Sequence, residues 1–127
     1  MVHQYKITDS NKIVTIPNGI DLTKYFTDQE NKRNQWRKKI NVGDDIILVG
    51  IIGRVVPIKN HKMFVDVIDK LIHQKKRSKI KFVIVGDGED RKKVQRLLSD
   101  KKLPYNYLPD QQPLGDEPVV FTSWETN

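Results

Sequence analysis

The 127-residue chain contains no cysteine, so disulfides and thiolate metal sites are excluded and a reducing compartment fits. No apolar run approaches the ~20 residues that span a bilayer as a helix. The start, Met1-Val2-His3-Gln4-Tyr5-Lys6, lacks the apolar core of a signal peptide, so secretion is not expected. His3, His61 and His73 are scattered without paired ligand spacing, so no metal site is expected. Aromatic residues are few, at 8%, and are not interleaved with the basic ones as a nucleic-acid platform requires. A dinucleotide fingerprint is missing too: Gly86-Asp87-Gly88 is followed by Lys92-Lys93 rather than a third glycine, which argues against an oxidoreductase. There is no repeat and no low-complexity tract.

What is present suits one soluble domain with a modest core, 37% hydrophobic and 31% charged. The net charge of +7 invites phosphate ligands, anionic headgroups or nucleic acid, and equally serves plain solubility. Residues 1–10 carry no pattern. Lys12 to Ile16 is β-branched and predicts a short strand that ends at the turn Pro17-Asn18-Gly19. Ile20 to Phe26 reads as a loop with apolar pegs. Asp28 to Ile40 predicts a helix docked loosely through Trp36 and Ile40, four residues apart.

Ile46 to Ile52 is apolar on both faces, the pattern of a central parallel strand. Gly53 to His61 forms a basic turn. Met63, Phe64, Val67, Ile68, Leu71 and Ile72 then recur at helical spacing and predict one buried stripe. Lys75-Lys76-Arg77 suits that helix's C-terminus. Ile80 to Val85 predicts a second buried strand closed by Gly86-Asp87-Gly88. Glu89 and Asp90 fall in the expected first turn of a helix whose apolar side is Val94, Leu97 and Leu98. Pro104 to Pro118 holds four of the six prolines and reads as a long loop. Val119 to Thr122 predicts a third strand.

Strand, helix, strand, helix, strand is a parallel α/β arrangement. Such sheets bind ligands at the carboxyl ends of their strands. Gly53 to Asn60, Gly86 to Gly88, and Ser123 onward should therefore lie side by side. Arg54 and Lys59, two cations beside a helix N-terminus, suit a phosphate-bearing ligand. Considered alone they equally suit solvated charges at a strand exit. Gly86-Asp87-Gly88 alone reads as a tight strand-to-helix turn, Trp36 and Trp124 as packing residues, and His61 as a surface histidine. Arg91-Lys92-Lys93 reads as a solvated helix face.

Ile16-Pro17-Asn18-Gly19-Ile20-Asp21 with Phe26, Gly53-Arg54 with Lys59-Asn60, Val83 to Gly88, and Val119-Val120-Phe121 occur in an order and spacing that resembles a known family. This is the donor-binding domain of retaining GT-B glycosyltransferases, glycosyltransferase family 4 (group 1). The resemblance covers Lys12 to Phe121. It implies a Rossmann-like parallel sheet of about three core strands with flanking helices, part of a GT-B C-terminal domain. Residues 1–21 would be the interdomain hinge or the end of a preceding domain, and residues 22–127 part of the nucleotide-sugar-binding domain. It further implies that Arg54 and Lys59 contact the donor diphosphate and act in catalysis by neutralising charge on the leaving group. Gly53, Asn60, Gly86, Gly88, Phe121 and Ser123 would complete the binding loops, with no metal and no cofactor beyond the nucleoside-diphosphate sugar as donor substrate.

The family usually carries glycine where this chain has Ser123, and its paired-glutamate signature does not occur before Asn127. The expectation is therefore a piece of a larger enzyme, inactive alone, whose acceptor, a glycan or lipid-linked, is held by another domain. Cell-surface polysaccharide synthesis in the cytoplasm, at the inner membrane face, with peripheral membrane contact and self-association through an open sheet edge, completes the expectation. The alternative is a non-catalytic basic module that binds nucleic acid or phosphate ligands.

Overall fold

A computed structural model describes residues 9–75, 78–110 and 114–125. Strands β1 (Ile47–Ile52), β2 (Ile80–Val85), β3 (Tyr105–Tyr107) and β4 (Val119–Ser123) form one sheet in the order β1-β2-β4-β3, and every pairing is parallel. Helices α1 (Thr23–Phe26), α2 (Gln29–Lys39), α3 (His61–Asp69) and α4 (Arg91–Asp100) flank it, and α3 runs on into a π-helical turn at Lys70–Gln74.

Alternation along β2 and β4 builds two cores. Phe82, Ile84, Val119 and Phe121 face α3 and α4 and pack with Val65, Ile68, Val94 and Leu98. Val83, Val85 and Val120 face the other way and pack against Ile40 and Val42, which follow α2, with Trp36 beside them. The period-two pattern thus separates a helix-pair face from a single-helix face. Ile40 is fully buried, so α2 docks firmly where the sequence predicts a loose contact.

Several expectations need correction. Residues Lys12–Ile16 are not a strand: Ser10–Lys12 is a 3-10 turn, and Val14 and Ile16 are exposed with no ladder partner to satisfy their backbone. The apolar run at β1 belongs to an edge strand, with Ile47 60% and Ile52 79% exposed. On α3 the buried positions are His61, Val65 and Ile68, with Phe64, Leu71 and Ile72 packed beside them as expected, whereas Met63 and Val67 face outward; the stripe is rotated by a fraction of a turn toward Val65. Arg91 begins α4, so Glu89 and Asp90 precede it rather than filling its first turn. Thr23–Phe26 and Tyr105–Tyr107 were legible only as loops, yet they form α1 and β3. β3 is three residues long and draws its order from pairing with β4, a tertiary cause that a local pattern cannot show. Lys76 and Arg77 of the basic run lie outside the described residues, as do residues 1–8, 111–113 and 126–127.

Candidate functional site

The carboxyl ends of β1, β2 and β4 meet at one edge. The Gly53 amide donates to the Val85 carbonyl at 2.9 Å, and the Gly86 amide donates to the Ser123 carbonyl at 2.8 Å. The three turns are therefore adjacent. Contact between them depends on glycine at Gly86: with φ at 135°, a Cβ there would sit 2.0 Å from the Gly53 carbonyl oxygen. Gly88 also lies close to Val55, with a hypothetical Cβ 2.5 Å from its carbonyl oxygen.

Asp87 ties the turns together. Its backbone carbonyl accepts from the Val55 amide at 3.0 Å. Its carboxylate accepts from the Gly88 amide at 2.7 Å and from the Ser123 hydroxyl at 2.9 Å, and it pairs with Arg91 at 3.2 Å. Ser123 reaches Asp87 because β4 bulges at Thr122 and turns into a left-handed residue, φ 62° at Ser123. Arg91, expected on a solvated face, instead lies over the Tyr107 ring and donates to its hydroxyl. Asp87 and Arg91 were missed as organisers of this edge; the short Gly-Asp-Gly between strand and helix was the available signal.

Local turn chemistry places the two cations. Pro57 opens a 3-10 turn, Pro57–Lys59, and its fixed φ pre-sets that conformation. Asn60 then adopts the left-handed region, φ 49° and ψ 48°, and its side chain accepts from the Met63 amide at 3.3 Å as the N-cap of α3. The Asn60 side chain is thus committed to the helix. Lys59 projects back toward Gly53, where a Cβ would lie 4.0 Å from its Cε. Arg54 and Lys59 are both exposed, and among the described residues neither joins an ion pair, while nearby Lys62 and Arg91 pair with Asp66 and Asp87. Two uncompensated cations beside the positive end of α3 form an anion-directed edge.

Phe121 stands apart from this edge. It is fully buried in mid-strand, edge-on to Tyr107 at 5.7 Å between ring centres, so its side chain cannot reach a ligand there. Trp124, expected to pack, is 54% exposed just beyond Ser123. His61 corrects in the opposite direction: it is 3% exposed, and neither ring nitrogen has a hydrogen-bond partner among the described residues. Burial holds its pKa below the usual imidazole value, partly opposed by Asp90. Among the described residues no three His, Asp or Glu side chains gather as a metal cage, and no helix is long and apolar enough to cross a membrane.

The family model described as "Glycosyl transferases group 1" matches residues 32–108, from α2 through β3. The chain belongs to this family. The match includes Gly53 to Asn60 and Gly86 to Gly88 and stops short of Phe121 and Ser123. A curated relative in the group, the UDP-Gal:alpha-D-GlcNAc-diphosphoundecaprenol alpha-1,3-galactosyltransferase of Escherichia coli, is 35% identical over 102 residues, which is 80% of this chain. The chain spans about a quarter of that relative's length, 24%. Among solved structures, a mutant of S. aureus TarM in complex with Fondaparinux, alpha-GlcNAc-glycerol and UDP shares 24% identity at a TM-score of 0.46, over 67% of this chain and 15% of that one. The parallel sheet with helices on both faces is the Rossmann-like arrangement that a group 1 glycosyltransferase domain implies.

Proposed function

We propose that this chain supplies the diphosphate-binding edge of a glycosyltransferase that moves a sugar from a nucleoside-diphosphate sugar to a glycan or lipid-linked acceptor in cell-surface polysaccharide synthesis. The carrying observation is the pair Arg54 and Lys59, exposed and without acidic partners among the described residues, at the strand ends of a group 1 family member. In the reaction the bond between the sugar's anomeric carbon and the diphosphate oxygen breaks, a bond to an acceptor hydroxyl oxygen forms, and that hydroxyl gives up its proton to the departing diphosphate. Negative charge grows on the departing diphosphate. Arg54 offers a planar fork and Lys59 a point charge to that anion, and both act more strongly as the charge develops.

Gly53 leaves space beneath Lys59 for a phosphate to approach the backbone, and Ser123 and Trp124 border the edge where a nucleobase would lie. Gly86 and Gly88 serve by letting the turns pack. The named activity of the E. coli relative supports a uridine donor and a diphosphate-linked lipid acceptor for the whole protein. On this reading residues 22–127 belong to the donor-binding domain, residues 1–21 lead into it, and the nucleotide sugar is a substrate that needs no further cofactor. The work is done on the cytoplasmic side of the membrane, and the net charge of +7 favours peripheral contact with anionic lipid. The open outer edge of β1, with Ile47 and Ile52 exposed, supports self-association. Titration with UDP, followed by amide shifts, tests the central claim: signals from Gly53 to Asn60 should move saturably. Unchanged signals at millimolar UDP would remove it.

A further inference from the structure

Beside the cation edge a groove of about 430 Å³ opens between the Val56–Asn60 loop with the start of α3 on one side and the length of α4 on the other. It contains neither Arg54 nor Lys59. Its walls are apolar, from Val56, Pro57, Val94 and Leu97, and its rim is charged. Lys62, Lys93 and Arg96 stand there with Asp90 and Asp100. Lys62 pairs with Asp66 and Lys93 lies 3.9 Å from Asp90, so among the described residues Arg96 is the rim cation without an ion pair. His61, the first residue of α3, also lines the groove, and it is the buried polar side chain whose two ring nitrogens lack partners. Buried polar groups are nearly always satisfied, so a ring left in this state at the wall of an open groove points to a partner from outside the chain. The adjoining helix N-terminus favours an anionic one.

We propose that this groove is a second ligand site, distinct from the diphosphate edge, which takes a small amphiphilic phosphate. The apolar tail lies along Pro57 and Leu97. The phosphate sits at the mouth, where Arg96 meets it with a charge-assisted fork, and the His61 ring, sealed in the wall in the free chain, rotates to bring one ring N–H to a phosphate oxygen. Apolar walls alone would accept a neutral tail, and a cationic rim alone would accept inorganic phosphate; the combination selects a molecule that carries both. Because the loop that forms one wall also carries Lys59, an occupied groove would fix the backbone from which Lys59 projects.

The test uses hexyl phosphate, inorganic phosphate and hexanol, each titrated into the chain and followed by amide shifts. Hexyl phosphate should give saturable shifts at Asn60–Lys62 and Lys93–Leu97, at least tenfold tighter than either of the other two. Arg96→Ala, on an exposed helix position, should weaken it at least fivefold without changing the circular dichroism. Excess UDP should not displace it. Absence of saturable shifts, equal binding of hexanol or inorganic phosphate, an Arg96→Ala variant that binds normally, or displacement by UDP would each overturn the proposal. Displacement would show the groove to be part of the donor site, and UDP binding at Gly53–Asn60 is read separately from it.

Discussion

Cations sit at both edges of the sheet, and the two edges treat them in opposite ways. At the amino edge Lys81 is buried within β2, and its ammonium donates to the Asn41 carbonyl at 2.9 Å, just past the end of α2. Arg37, also buried, donates to the carbonyls of Gly43 and Ile46 and so closes the connection from α2 to β1. Burial pushes the Lys81 amine below its usual pKa, with Asp116 and Glu117 opposing. These cations are consumed by backbone carbonyls of the connection between α2 and β1. At the carboxyl edge Arg54 and Lys59 are exposed and join no ion pair among the described residues, and the nearby Asp66 and Asp87 already have partners. Composition counts all four alike. What separates structural from ligand-directed cations here is whether the chain itself supplies their acceptors.

Substitutions can break this contrast from either side. The largest effect should come from Gly86→Ala, which combines a left-handed backbone with a direct clash against Gly53. About 2–4 kcal/mol of stability should be lost, measured by urea unfolding, and the cation edge should separate with it. Arg37→Ala should follow at about 1–3 kcal/mol, because two carbonyls lose their donor, while UDP binding in the folded fraction stays unchanged. The smallest effect concerns pH. His61 has a folded pKa below its unfolded value of about 6.5, so the unfolded chain binds more protons in the window beneath 6.5. Stability should therefore fall as pH drops through that window, seen as a lower urea midpoint at pH 5.5 than at pH 7. The His61→Phe variant should show a smaller pH difference than the unsubstituted chain.

Much of this is legible in the sequence. The strand runs at Ile46–Ile52, Ile80–Val85 and Val119–Thr122 carry their own apolar signature, and the turns after them had to share an edge once the strands were parallel. The rest depended on tertiary context. Nothing local distinguishes an edge strand from a central one when both are apolar, so β1 was misplaced. Tyr105–Tyr107 becomes a strand only because β4 offers it a ladder. His61 sits among charged residues and reads as exposed; its burial follows from packing of α3 against α4, which the sequence does not display. At the site, Arg54 and Lys59 were readable as chemistry, but the role of Asp87 as their scaffold required the bulge at Thr122 that turns Ser123 toward it.

The contrast between the edges reduces to one experiment, the double variant Arg54→Ala with Lys59→Ala examined for both stability and UDP affinity. If these cations are ligand-directed, stability stays within about 0.5 kcal/mol of the parent, as expected for surface positions without partners. UDP affinity should fall at least tenfold, since each charge-assisted contact contributes about 1.5–3 kcal/mol. A variant that loses stability while it binds UDP as tightly as the parent would contradict the account.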